Sequence, residues 1–166
     1  MHRCPPALKE KAYKAIIRPR LEYCSSVWDP HNKKYVDKLE MVQRRAARFV
    51  TNNPHKRTSL QPSVSSMVDS LGWEPLAVRR KTNRLTTFYK TVHCLNAVPA
   101  LYLPPTQPNL GTRGHNHQFR QTHSTVDAHK FAFVRRTLVD WNALPAVAVN
   151  AESLDSFKSR LSHLQL

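Results

Sequence analysis

The sequence predicts a mainly α-helical protein, on three observations. Apolar residues recur at steps of three and four in several stretches, as they do along one side of a helix. Three Gly stand against twelve Pro, too few glycines for the turn-rich connections of a β-sandwich or barrel. The apolar fraction of 40% is enough for a packed core, so the composition is not that of a disordered chain. At 166 residues the chain has room for one domain or two small ones.

Pro5 and Pro6 open the first helix, where a missing N–H costs least. Leu8, Ala12, Ala15 and Ile16 share one side of it, with Leu21 and Val27 extending that side. Pro19 is expected to kink or break the helix, because its ring clashes with the preceding turn; Asp29-Pro30 ends the element. Asn32 is placed to cap a second helix. Its Val36, Leu39, Val42, Ala46, Phe49 and Val50 form a stripe expected to be buried, with Leu39, Val42 and Phe49 against the first and fourth helices. Asn52-Asn53-Pro54 closes it, and residues 53 to 64 read as a loop. A short third helix runs from Ser65 or Ser66 to Leu71, with Gly72 as a left-handed C-cap. Pro75 starts a fourth helix. Its expected buried residues are Val78, Leu85, Phe88, Val92 and Leu95, with Arg79, Arg80 and Asn83 facing elsewhere, and Asn96 and Pro99 end it.

From residue 97 to about 118 the composition turns to Pro, Gly, Asn, His and Thr, which marks a boundary. The expected organisation is a helical bundle over 1–98, a linker over 99–118 and a small, mostly helical extension over 119–166. Weak alternation around Phe131 and Phe133 points to a short β-hairpin within 119–134. A helix from Arg135 to Leu144 stops at Pro145, and a last one over 152–164 carries Leu154, Phe157 and Leu161 on one side.

Charge carries the functional signal. The net formal charge is +15, and a polyanion, nucleic acid above all, is the natural partner of such a surface. Cys4, Cys24 and Cys94 are odd in number, widely spaced and free of CxxC pairs, as expected of reduced intracellular thiols. Cys24 and Cys94 are expected as small buried hydrophobes. Residues 1 to 20 lack the apolar stretch of a secretory signal, and no apolar run is long enough to span a bilayer. These features point to the cytoplasm or nucleus, with no membrane partner.

Metal-dependent phosphoryl chemistry needs carboxylates paired on a tight turn, and no two acids here are adjacent. Asp37 and Glu40 lie among basic neighbours on one helix and read as surface ion-pair partners. Catalytic residues, cofactor and small-molecule substrate are therefore all expected to be absent. His115, His117, His123 and His129 cluster, but structural zinc sites usually add closely paired Cys, so loop histidines without metal are expected. The strongest pattern is basic. Lys34, Lys38, Arg45 and Arg48, with Arg44 beside them, are placed to follow phosphates, and Arg79 and Arg80 add a second basic pair. A solvated face is the plain alternative. Residues 33 to 57 hold eight Lys or Arg and two acids, more one-sided than an ordinary solvated helix. Tyr13, Tyr35, Trp73 and Tyr89 are candidates to stack on bases, against the commoner fate of core aromatics.

The ordered blocks LEYCSSVWDPH (Leu21 to His31), DKLEMVQRRAARFV (Asp37 to Val50), LGWEPLAVRR (Leu71 to Arg80), LTTFYKTVH (Leu85 to His93), RRTLVDWNALP (Arg135 to Pro145) and SLDSFKSRL (Ser153 to Leu161) carry a resemblance. Together the chain resembles the thumb and C-terminal region of jockey-like non-LTR (LINE) retrotransposon reverse transcriptases, most weakly over 100–118. The resemblance implies a helical thumb that grips RNA template and nascent DNA, and an extension that helps hold RNA and target DNA. The palm motif of that family, an aromatic followed by Ala-Asp-Asp, has no counterpart, so no catalytic residue carries over. The Cys positions do not match the zinc knuckle of some relatives. On this resemblance, the opening at Met1 just upstream of the thumb-like helix implies a truncated genomic copy or a gene model cut from one. The expectation is a non-catalytic fragment of an RNA-directed DNA polymerase that binds RNA, RNA–DNA hybrid or DNA through its basic helices. The rival expectations are an inert remnant and a basic helical scaffold that docks on a protein.

Overall fold

The computed structural model describes residues 4–53, 63–99, 102–107 and 115–164, and the described chain is mainly helical. Residues 54–62 of the expected loop and 100–101 and 108–114 of the expected linker lie outside the described residues. Two compact units, Met1–Arg80 and Lys81–Leu166, divide the chain. This division falls within the fourth long helical stretch and not at the compositional shift near residue 98. Leu85, Phe88 and Tyr89 explain the difference, because they join the core of the later unit.

The first unit opens with α1 (Pro6–Ala12), a π-helical turn (Tyr13–Ile17), α2 (Arg18–Glu22) and α3 (Ser25–Trp28). Helical winding continues through Pro19, and the expected interruption takes the form of a π-helical turn just before it. The Arg18 N–H donates to the Tyr13 carbonyl five residues back, and this wider turn displaces the carbonyl that the proline ring would otherwise strike. Cys24, with φ 49°, ends the arm in the left-handed region.

The apolar side expected to be buried on the first helix faces outward, with Leu8 56% and Ile16 57% exposed, whereas Lys9 and Tyr13 are buried. Specific partners explain the rotation. Tyr13 stacks on Trp73 with centroids 4.4 Å apart, and Trp73 Nε1 donates to Glu10 Oε1 at 3.1 Å. Lys9 Nζ donates to Asn52 Oδ1 and lies 4.8 Å from the centre of the Phe49 ring.

Helix α4 (Lys33–Val50) is capped by Asn32, whose side chain accepts the Lys34 N–H at 2.9 Å. Its buried residues are Gln43, Ala47 and Val50. Phe49, expected in the core, is instead 48% exposed. Gln43 goes inward because its Nε2 donates to the Glu74 carbonyl at 3.0 Å. Helix α5 (Val64–Ser70) follows, capped by Ser63. Gly72 ends it at φ 62°, as expected, with Trp73 N–H closing onto the Val68 carbonyl at 3.1 Å. Tyr13, Ala47, Val50, Met67 and Trp73 make the core of this unit. Helix α6 (Leu76–Val92) begins after Pro75, and Glu40 Oε1 accepts its Ala77 N–H at 2.8 Å.

The second unit holds the larger core, with Leu85, Phe88, Tyr89, Phe119, Leu138, Trp141, Leu144, Val149, Ala151, Phe157 and Leu161 buried together. Leu95, expected on the buried side of α6, is 58% exposed. It lies beyond the helix end, after Cys94 turns the chain at φ 53°. Strands β1 (Thr106–Gln107) and β2 (Gln118–Phe119) pair antiparallel, with Thr106 opposite Phe119. The expected hairpin within 119–134 is instead α7 (Asp127–Lys130) leading into α8 (Phe133–Asn142). Phe133, Val134, Leu138 and Trp141 meet the core at helical spacing, and that period overrides the two-residue alternation around Ala132. Helices α9 (Ala146–Val149) and α10 (Leu154–His163) close the unit, with Phe157 and Leu161 buried as expected.

Cys24 and Cys94, expected to be buried, are both exposed. Each occupies a left-handed turn position at a helix end, where the side chain leaves the core.

Candidate nucleic-acid interface

Helix geometry arranges the basic residues of α4. At 100° per residue, Lys34, Lys38, Met41, Arg45 and Phe49 fall within a sector about 80° wide, opposite Gln43, Ala47 and Val50. Lys34, Lys38, Arg44 and Arg45 are exposed. From Lys34 to Arg45 the stripe runs about 17 Å along the axis. Lys34, Arg44 and Arg45 have no carboxylate partner among the described residues. Lys38 Nζ lies 5.6 Å from the centre of the Tyr35 ring. Lys33 pairs with Asp37 at 3.2 Å and is the α4 lysine neutralised by its own helix. Arg48 is half-buried and engaged within the protein. Arg44 lies about 60° outside the sector, where it lines an open hollow of about 260 Å³ with Glu40, Gln43 and Asp69.

The basic residues of α6 are arranged differently. Arg80 has no exposed surface and donates from Nε to Asp29 Oδ1 at 2.8 Å. Arg79 forms a two-pronged pair with Glu22, its Nη2 donating to Oε2 at 3.1 Å, and this pairing raises its pKa further. In the second unit Asp140 accepts from Arg84 and lies 3.3 Å from Lys81. The expectation that Arg79 and Arg80 face away from the core is therefore corrected. Their charge is held by internal carboxylates, whereas α4 presents Lys34, Lys38, Arg44 and Arg45 outward.

Three of the four aromatic candidates have structural roles. Tyr13 and Trp73 stack on each other. Burial pushes the Tyr13 hydroxyl up to about 12. Tyr89 stacks on Phe157 with centroids 4.4 Å apart and donates its hydroxyl to the Ala151 carbonyl at 2.7 Å. Tyr35 alone of the four is exposed, at 53%. Sequence reasoning passed over Met41 and the outward position of Phe49. The four- and three-residue steps 34, 38, 41, 45 carry that signal once Gln43 is known to point inward.

The histidines separate. His115 is buried, its Nδ1 accepts the His117 N–H at 3.2 Å, and its Nε2 lies 3.1 Å from the Trp141 carbonyl. A carbonyl only accepts, so the proton sits on Nε2 and the ring is neutral. His117, His123 and His129 are exposed. Among the described residues no three His, Cys, Asp or Glu side chains converge on a point that would suit a metal ion. In the second unit Lys130, Arg135 and His123 border an open hollow of about 350 Å³ with Leu138 and Val139. Arg135 is tied there to the Thr122 carbonyl at 2.8 Å. Among the described residues no helix is long and apolar enough to cross a membrane.

No protein-family model matches the chain, and no curated protein and no solved structure is significantly similar to it.

Proposed function

We propose that this chain is a non-catalytic nucleic-acid-binding protein that holds RNA, RNA–DNA hybrid or DNA along the outer side of α4. The observation that carries this reading is the contrast between the two basic helices. Internal carboxylates take the charge of Arg79, Arg80 and Arg84, whereas Lys34, Lys38 and Arg45 are exposed in one row on α4. An ammonium or guanidinium row of this kind meets phosphates and releases condensed counterions. The net charge of +15 adds long-range attraction for a polyanion. The resemblance to the thumb and C-terminal region of jockey-like non-LTR reverse transcriptases supports the same reading, with the catalytic palm of that family absent from this sequence.

The test is a fluorescence-anisotropy titration of the full chain with labelled RNA at several salt concentrations. Lys34→Gln with Arg45→Gln should weaken binding and flatten the slope of log affinity against log salt by about 1 to 2 units. Circular dichroism should show an unchanged fold, since both residues lie outside the core. An unchanged slope on an intact fold defeats the proposal. A second reading, a basic scaffold that docks on a protein, draws support from the outward Leu8 and Ile16. In that case a double mutant of those two positions, and not of Lys34 and Arg45, would abolish partner binding.

A further inference from the structure

The outer side of α4 is not uniformly basic. Tyr35 is 53%, Met41 46% and Phe49 48% exposed among the cations of this helix. Both aromatic rings have the same arrangement: an ammonium lies over each, Lys38 on Tyr35 at 5.6 Å and Lys9 on Phe49 at 4.8 Å. Lys9 is itself buried and hydrogen-bonded to Asn52, which fixes the cation beside Phe49. Tyr35 and Phe49 are fourteen residues apart, about 21 Å along the axis, and bracket the row formed by Lys38, Met41 and Arg45. Apolar residues scattered singly over a surface are common, but here two rings and a thioether share one helix side with a row of cations.

A base pair stacked inside a duplex has no free face for these rings, whereas an unpaired base does. We propose that the outer side of α4 binds an unpaired strand of RNA or DNA, with phosphates on Lys34, Lys38 and Arg45 and bases stacked on Tyr35 and Phe49. A base lies on the ring face opposite the ammonium, so each ring is held between a cation and a base. Met41 contributes a flexible apolar contact between the two platforms. Binding is tolerant of sequence, since every base has a π-face. This inference rests on the phosphate-binding reading of α4 and adds to it the strandedness of the ligand.

The experiment compares three labelled ligands of about twelve nucleotides on the full chain: oligoadenylate, the same strand annealed to its complement, and an abasic strand with the same phosphates. Oligoadenylate should bind about tenfold or more tightly than either of the others. Tyr35→Leu should remove about tenfold of that preference while leaving the salt slope and the affinity for the abasic strand unchanged. Tyr35→Phe, which keeps the ring, should retain the preference, and a second variant, Phe49→Leu, should reduce it independently. Equal affinity for the three ligands overturns the inference while leaving the phosphate row intact. Loss of preference in Tyr35→Phe overturns it as well, because the hydroxyl and not the ring would then be the contact. Absence of salt-dependent binding to any strand, or tighter binding to phosphatidylserine vesicles, overturns both the inference and the reading it rests on.

Discussion

Asp29 and Arg80, fifty-one residues apart in the chain, form a buried ion pair. Asp29 belongs to the Trp28-Asp29-Pro30 stop, and Arg80 lies in the first part of α6. The pair fastens the end of the first helical arm to that helix. Removing one partner leaves the other charge desolvated without compensation, which is costlier than never having built the pair. Asp29→Ala should therefore destabilise the protein by about 3 to 5 kcal/mol, measured as a shift of the urea midpoint. A change below about 1 kcal/mol, the range of an exposed pair, would show that water reaches the site.

Phe49 and Trp141 should respond very differently to truncation. Trp141 is fully buried among Phe88 and Phe157, so Trp141→Ala should cost about 3 to 5 kcal/mol. Phe49 is half-exposed and loses mainly its contact with the Lys9 ammonium, so Phe49→Ala should cost about 1 kcal/mol. Thermal melts of the two variants side by side decide the matter. Comparable losses would place Phe49 in the core after all.

Stability should fall as acid protonates His115. Burial lowers its pKa below the ordinary 6.5, and both ring nitrogens are already committed, so an added proton at Nδ1 would face the His117 N–H. The neighbouring His117 charge pushes the same way, and His93 is also lowered by burial. A base with a depressed folded-state pKa contributes stability that is fully present above the unfolded value and disappears as pH falls through the folded value. Chemical denaturation should thus give constant stability from pH 8 to about 7 and a decline below about 6.5. The decline should be shallower in His115→Asn. An identical pH profile in that variant would assign the effect to other groups.

The purified chain should extend no primer on an RNA template with Mg²⁺. Eleven acids occur in the sequence with none adjacent to another, and a two-metal polymerase needs carboxylates that hold ions a few ångströms apart. Extension above a buffer control, in a preparation free of other polymerases, would refute the non-catalytic assignment.

Helix positions were legible because period and caps are local. Asn32 caps α4, and Gly72 terminates α5 with a left-handed turn that its missing side chain tolerates. The direction each helix faces was far less legible, because distant polar partners decide it. Lys9 turns inward for Asn52, Gln43 for the Glu74 carbonyl and Arg80 for Asp29, while Leu8 and Phe49 turn out. The same reason divides the basic residues. The charge excess of α4 was visible in its sequence alone, but Glu22 and Asp29, which hold Arg79 and Arg80, lie more than fifty residues earlier. Local pattern contains no record of such pairs.

The π-helical turn at Tyr13–Ile17 makes chain length a structural variable in this arm. It fits one residue more into the turn than an α-helix would, with little effect on the angular position of everything after it. Deleting a single residue there, Ala15 for example, would restore ordinary winding and leave Glu22 close to its place, because four residues at 100° sweep about the same arc as the five of the wider turn. Inserting a further residue would instead turn Glu22 about 100° around the axis, away from Arg79. Homologous chains should therefore tolerate the loss of one residue between 14 and 17, whereas insertions in the interval from Tyr13 to Glu22 should be rare.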